Sequence, residues 1–348
     1  MLHAVWAPYT LHFKETAITS RARMLTKDTY IIKVWDDASP EIVGWGECSL
    51  FRGLSAEDTP DYEAILTEAC RNISDLEGMP QISSIRFGFE MALNDLASGG
   101  TQKFYSSSWA KGETTLKING LIWMGDRDTM ARRIEDKLRA GFKCVKLKIG
   151  GIDFEKELEL LRLIRNRFSP EEIELRLDAN GAFTPDNALE RLTRLAEFQI
   201  HSIEQPIKAG QINEMSRIAA LSPIPVALDE ELIGFYSDDY KHRLLKKIAP
   251  SYIILKPSLC GGFKEADRWI DIACEKGIGW WATSALESDL GLAAIGQWVS
   301  LRAPEMPQGL GTGQLYTNNI KSPILLNGET LGYNPYKHFI FPELDWHI

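Results

Sequence analysis

The chain has 348 residues, 44% hydrophobic and 25% charged, which suits about two packed domains and excludes wholesale disorder. Its 39 Lys and Arg against 48 Asp and Glu leave a net charge of −9, so it lacks the basic footprint of a general nucleic-acid binder. No stretch approaches the roughly 18 uninterrupted apolar residues of a membrane span. The opening residues, 1–16, lack the basic and apolar regions of a secretory leader. The expectation is a cytoplasmic protein that engages neither membrane nor nucleic acid. The five cysteines (Cys48, Cys70, Cys144, Cys260 and Cys274) are scattered and form no CxxC pair, as expected of reduced core thiols.

Residues 1–112 read as an α+β unit. Leu2, Ala4 and Trp6 alternate with polar neighbours, 30–35 is a strand-like run, and 36–40 forms the turn before a third strand at 42–45. Helical spacing follows over 61–73 and 85–97, then a polar, serine-rich stretch from Gly99 to Gly112 reads as a linker. From there to about 325 strand and helix alternate. Lys143 to Ile149 is a strand, Asp153 caps the next helix, Leu175 to Asp178 is a strand, and Thr184-Pro185 opens another helix. The last segment, 326–348, is expected to pack back on the first unit.

One polar or small residue ends each strand: Asn119, Lys146, Asp178, Glu204, Asp229, Lys256, Ser284 and Gly311. Their intervals are 27, 32, 26, 25, 27, 28 and 27 residues, the length of a strand plus its return helix. Eight such units predict an α/β fold, a modified (β/α)8 TIM-type barrel behind the α+β cap. A doubly wound sheet fits less well, because no phosphate-binding glycine motif follows any strand.

Strand alternation puts Cys144, Lys146 and Lys148 on one face and Val145, Leu147 and Ile149 on the other, so both lysines point into the barrel mouth. Two ammonium groups side by side should lower the pKa of one toward that of a usable base. Alone, Lys-Leu-Lys also suits an exposed edge strand. Asp178, Glu204 and Asp229 end three consecutive strands. Singly, each acid could merely cap the next helix. Together they cannot all stay ionised without a cation, and oxygen ligands select a hard divalent ion: Mg²⁺ first, Mn²⁺ as the alternative. Glu230 and Glu231 follow Asp229 directly, which leaves Glu230 a second candidate for the third ligand. Lys256 lies across the barrel from the first lysine strand. A lysine on each side of a metal-bound group suits proton transfer at carbon beside a small-molecule carboxylate.

Together, Lys146-Leu-Lys148, Asp178-Ala-Asn180, Glu204-Gln-Pro206, Asp229-Glu230 and Lys256-Pro257 resemble the muconate-lactonising branch of the enolase superfamily, over essentially the whole chain. The resemblance implies an α+β capping domain over a modified barrel. It makes Lys148 the catalytic acid/base, Lys146 the lysine that tunes it, and Lys256 the lysine of the opposite face. Asp178, Glu204 and Asp229 become the metal ligands.

The stretches 119–125, 255–263, 283–288 and 309–313 further resemble the o-succinylbenzoate synthases of menaquinone biosynthesis. That implies a lyase dehydrating 2-succinyl-6-hydroxy-2,4-cyclohexadiene-1-carboxylate through an enediolate. Lys148 would take the proton and return it to the leaving hydroxide, with Lys256 serving as a cation. The competing reactions are N-acylamino acid racemisation, dipeptide epimerisation and muconate cycloisomerisation; a non-catalytic barrel is the remote alternative. Dipeptide epimerases of the branch usually carry Asp-x-Asp at the eighth strand, where this chain has Gly311-Thr-Gly313. Candidate substrate contacts are Asn180, Ser284, and Arg21 or Arg23 in a capping loop, with 49–54 as a second loop. His201 reads as a packing residue.

Overall fold

A computed structural model describes residues 1–18, 23–74, 82–234 and 236–348. Strands β1 (Leu2–Ile18), β2 (Arg23–Asp36) and β3 (Ser39–Cys48) form an antiparallel sheet in that order. Helices α1 (Tyr62–Arg71) and α2 (Ser83–Ala97) cover one face of it. The alternation that predicted strands buries Trp6, Tyr30, Ile32 and Val34 against Leu66, Ile85 and Phe89. Helix α2 rides directly on the backbone of β3. A Cβ on Gly46 would stand 2.0 Å from the Gly88 carbonyl oxygen, so neither a larger residue nor a looser crossing fits.

The barrel strands are β5 (Gly120–Ile122), β6 (Cys144–Lys148), β7 (Glu174–Asp178), β8 (Ser202–Glu204), β9 (Val226–Leu228), β10 (Tyr252–Leu255) and β11 (Gly279–Ala282). They pair in parallel, each beside the next. Between them run α3 (Arg127–Arg139), α4 (Phe154–Arg165), α5 (Ala188–Ala196), α6 (Ile212–Leu221), α7 (Asp238–Ile248) and α8 (Phe263–Glu275), and α9 (Asp289–Ser300) follows β11. The eighth position is held without a regular strand. Gln308 N donates to the Lys117 carbonyl and Gly309 N to that of Ala282, which ties the last strand back to the first. A Cβ on Gly309 would meet Thr283 Oγ1 at 2.1 Å, so glycine is required at this closure. A further small sheet joins β4 (Leu116–Lys117) to β13 (Thr330–Tyr333) and β12 (Ile324–Asn327).

Some local expectations change. The serine-rich stretch is no linker: Phe104 and Trp109 in it are buried, and Trp109 Nε1 donates to the Leu331 carbonyl at 2.7 Å. Helix α5 starts at Ala188 rather than Pro185, because Thr184 and Asn187 first exchange side-chain bonds to each other's backbone N–H. Asp153 caps α4 as its position suggests, accepting from Glu155 N. Four cysteines are buried, whereas Cys274 is exposed on α8. In the last segment Phe341 stacks on Trp45 with ring centres 3.8 Å apart, and His347 pairs with Trp6 on β1. No helix among the described residues is long and apolar enough to cross a membrane.

Candidate active site

The barrel mouth takes its chemistry from register. Lys148 is paired with Asp178 and Asp178 with Glu204 across β6, β7 and β8, so three charged side chains stand level on one face. One layer deeper, Lys146 is paired with Arg176 and Arg176 with Ser202. Arg176 is buried, lies 4.3 Å from the Trp281 ring centre and donates to the Pro307 carbonyl at 2.9 Å, closing the floor. Val145 and Leu147 face outward into the core that holds Leu158 and Leu161 of α4, which commits both lysines to the interior.

Past Lys148 the chain turns at Gly150, whose φ of +87° and crowding against Ala182 require glycine. The turn is pinned from α4: Gly150 N donates to Glu157 Oε1 at 2.6 Å. Burial pushes the Glu157 carboxyl up to about 7.

The charged groups interlock. Lys146 Nζ lies 2.6 Å from Glu204 and 3.1 Å from Asp178, Lys148 Nζ lies 2.8 Å from Asp178, and Lys256 pairs with Asp229. All are buried or nearly so. Burial opposes the charge on Asp178, yet Lys146, Lys148 and Lys256 hold its carboxyl well below the usual range. Glu204 goes the other way: burial, reinforced by the charges of Asp178 and Asp229, pushes it well above. The expectation that crowding would lower a lysine pKa fails for Lys146. Burial lowers it, but Asp178 and Glu204 more than offset that and leave it raised. Lys256 is raised likewise, burial being outweighed by Asp229 and Glu204.

Among the described residues no three acids, histidines or cysteines stand as a preassembled metal cluster, since the lysine ammoniums lie between the carboxylates. The donor set still fits a hard divalent cation. It is all oxygen, its charge is crowded enough to disfavour ionisation of Glu204, and Glu204 Oε1 is buried with no hydrogen-bond partner among the described residues. Asp229 directly follows β9 with its carboxylate in this field, whereas Glu230 starts a 3₁₀ turn and accepts from Asn180 Nδ2 at 3.0 Å. Asn180 also accepts from Lys148 Nζ at 2.7 Å, so its carboxamide links the lysine to Glu230.

A small cavity opens onto these groups. The cap contributes Phe51 and Leu54 to its wall; the barrel contributes Trp123, whose ring centre lies 5.7 Å from Lys148 Nζ. Ser284 lines it with its hydroxyl hydrogen donated to Glu287 at 2.6 Å, leaving only acceptor capacity toward a ligand. Asn119 and Thr312 also line the cavity, and Asn119 Oδ1 and Thr312 Oγ1 are buried without partners among the described residues. Asn119 opens the 119–125 stretch and Thr312 lies in the 309–313 stretch, so both positions are marked in the sequence, but neither pattern says that the side chain meets the cavity. Arg23 is exposed at the start of β2 and does not line the cavity; Arg21 lies outside the described residues. His201 stacks on Tyr252 at 5.1 Å, away from the mouth.

Residues 129–311 match the model of the Enolase C-terminal domain-like family, more than half of the 348-residue chain. The chain belongs to that family, within the enolase superfamily. It is 46% identical to an o-succinylbenzoate synthase of Desulfotalea psychrophila, over 92% of this chain and 96% of that one. The crystal structure of MenC from the same organism superposes with a TM-score of 0.81 at 44% identity, covering 95% of this chain and 99% of that one. A Cytophaga hutchinsonii dipeptide epimerase, solved with Mg and D-Ala-L-Val, superposes at TM-score 0.84 with 20% identity, over 100% and 99% of the two chains, a likeness of fold alone. An N-succinylamino acid racemase of Amycolatopsis is 26% identical over 83% of this chain and 81% of its own length.

Proposed function

We propose that the chain is an o-succinylbenzoate synthase, a lyase of menaquinone biosynthesis that removes water from 2-succinyl-6-hydroxy-2,4-cyclohexadiene-1-carboxylate to leave 2-succinylbenzoate. The observation that carries this reading is 46% identity to such an enzyme over nearly the full length of both chains. The buried lysine–carboxylate mouth supplies the chemistry it needs.

In this reading Lys148 takes the ring proton next to the carboxylate, and the hydroxide leaves from the neighbouring carbon. The proton and hydroxide together make the water released, and the ring becomes aromatic. Lys148 is suited to both transfers because Asp178 and Asn180 hold its ammonium from one side and Trp123 backs it from another. Lys146 sits one layer down between Asp178 and Glu204, where its charge sets the field around Lys148. Lys256, opposite, presents a second positive charge to the intermediate. Asp178, Glu204 and Asp229 would hold a divalent cation, Mg²⁺ in the first instance, which would supply positive charge beside the substrate carboxylate. Of the uncharged groups at the cavity, Thr312 has a hydroxyl hydrogen that can be donated to the succinyl side, whereas Asn119 Oδ1 and Ser284 Oγ can only accept.

A second reading, racemisation of an N-acylamino acid, draws on the placement of Lys148 and Lys256 on opposite sides of one cavity, as proton exchange on two faces requires. Purified protein is tested on the cyclohexadiene substrate with Mg²⁺ and with excess chelator. Aromatisation faster than in the absence of enzyme and than with Lys148→Ala supports the synthase. No acceleration overturns it, and α-proton exchange of N-acylamino acids in D₂O then decides the second reading.

A further inference from the structure

The cap meets the barrel through two carboxylates that the chemistry above leaves unused, and each sits on the start of a barrel helix. Glu47 of β3 is wholly buried. Its Oε1 accepts from Ser288 N at 2.9 Å, and its Oε2 from Gly291 N at 2.9 Å and Ser288 Oγ at 2.6 Å, so it caps α9 from across the seam. Thr29 Oγ1 donates to Oε1 from the cap side at 2.8 Å. Glu90 of α2 does the same for α8: its Oε2 accepts from Phe263 N at 2.6 Å and from Lys264 N at 3.2 Å.

Both helix starts leave room for a carboxylate from outside. Gly262 is the N-cap residue of α8 and has no side chain to offer; a Cβ there would stand 2.9 Å from Glu90 Oε2. In α9 the Ser288 hydroxyl oxygen serves Leu290 N, and a Cβ on Gly291 would stand 2.9 Å from Glu47 Oε2. The two carboxylates also belong to one stiff piece of the cap, because α2 lies on the backbone of β3. A Cβ on Gly88 would stand 2.5 Å from Cys48 Sγ.

These contacts converge on the cavity. Residues 257–262 join α8 to Lys256, 285–288 join α9 to Ser284, and both Lys256 and Ser284 line the cavity. On the cap side β3 ends at Cys48, directly after Glu47, and the chain runs on to Phe51 and Leu54, which line the cavity from the cap. We infer that Glu47 and Glu90 are positioning residues: two cap carboxylates, each bonded to the first turn of a barrel helix, that fix where Phe51 and Leu54 stand relative to Lys256 and Ser284. Two anchor points on one stiff piece fix its tilt as well as its distance. The inference rests on the cavity being the substrate site of the proposed synthase.

The test compares Glu47→Gln, Glu90→Ala and Glu90→Gln in the full chain with Mg²⁺, read by kcat, KM and amide hydrogen–deuterium exchange. Glu47 accepts a backbone N–H on each oxygen, so a glutamine must turn its NH2 toward one of them. Glu47→Gln should raise KM about tenfold with kcat within about threefold, and amide exchange should rise both at 288–291 and at 48–54. Both backbone bonds of Glu90 fall on one oxygen, which a glutamine can replace. Glu90→Ala should therefore raise KM about fivefold and loosen 263–265, and Glu90→Gln should bring KM back to within about twofold of wild type.

Should Glu47→Gln fail to fold, Thr29→Val and Ser288→Ala keep both carboxylates and each remove one hydroxyl bond to Glu47, from the cap and from the barrel. KM should then rise about threefold in both. An unchanged KM in either Glu47→Gln or Glu90→Ala, an unchanged KM in both hydroxyl variants, or amide exchange in Glu47→Gln confined to 48–54 would overturn the inference. Amide exchange does not depend on which substrate is turned over. If wild-type protein fails to aromatise the cyclohexadiene while Glu47→Gln still loosens both sides of the seam, the synthase reading fails and the two-point anchoring stands.

Discussion

Lys148 and Asp178 face each other on neighbouring strands, with the ammonium 2.8 Å from Asp178 Oδ2 and 2.7 Å from the Asn180 carboxamide oxygen. A side chain held this firmly is placed for one proton, not for a range of substrates. Lys148→Ala should therefore lower kcat by about a thousandfold, in the range of general acid–base contributions, while the fold persists. Steady-state rates beside a thermal melt check both halves of that statement.

Removal of divalent cations should abolish turnover and lower the thermal midpoint, and Mg²⁺ should restore both. Glu204→Gln should raise the Mg²⁺ concentration needed for half-maximal activity by about tenfold or more, because one charged donor is lost from an all-oxygen set. A metal titration of activity reads this directly. An unchanged requirement would remove Glu204 from the ligand set.

Asn119 and Thr312 offer the cavity a carboxamide oxygen and a hydroxyl without partners among the described residues. Asn119→Ala and Thr312→Val should each raise KM about fivefold, roughly the worth of one neutral hydrogen bond, with kcat little changed. Because neither group is charged, the effect should not depend on ionic strength. KM measured at low and high salt tests both points.

Burial pushes the Glu157 carboxyl up to about 7, so it keeps its proton into mildly acid pH. The folded chain therefore binds this proton more tightly than the unfolded chain does. The stability it contributes is fully present at acid pH and is lost as pH rises from the ordinary carboxylate range to about 7. The loss amounts to about 3 kcal/mol, at about 1.4 kcal/mol per pKa unit. Glu157→Gln should flatten that part of the profile and unfold at higher urea than wild type at pH 8. Urea midpoints at several pH values for the two proteins decide it.

The barrel was legible because its signal is local and repeated. Each strand ends in one chemically distinct residue, and 25 to 32 residues separate them. Lys146, Lys148, Asp178, Glu204, Asp229 and Lys256 all end up in one mouth for the same reason. What failed depends on pairing across strands. The lysine repulsion was visible within one strand, whereas the stronger pull of Asp178 and Glu204 on Lys146 follows from a register that only the folded sheet supplies. Trp109 was hidden by serine-rich neighbours, although its burial depends on Leu331, more than two hundred residues away.

The missing eighth strand bears on how this molecule could acquire new ligands. Gly309 has no room for any side chain, so barrel closure is locked at that point. Gly311, two residues on and in the cavity wall, is different: an added Cβ would have Asn119 O at 3.3 Å and Ile118 Cδ1 at 3.5 Å, snug but without collision. A single base change there could introduce an acid beside the uncharged Asn119 and Thr312 of the wall. Position 311 is thus adjustable beside an immovable neighbour, a point at which an acid would draw cationic compounds while the scaffold stays intact.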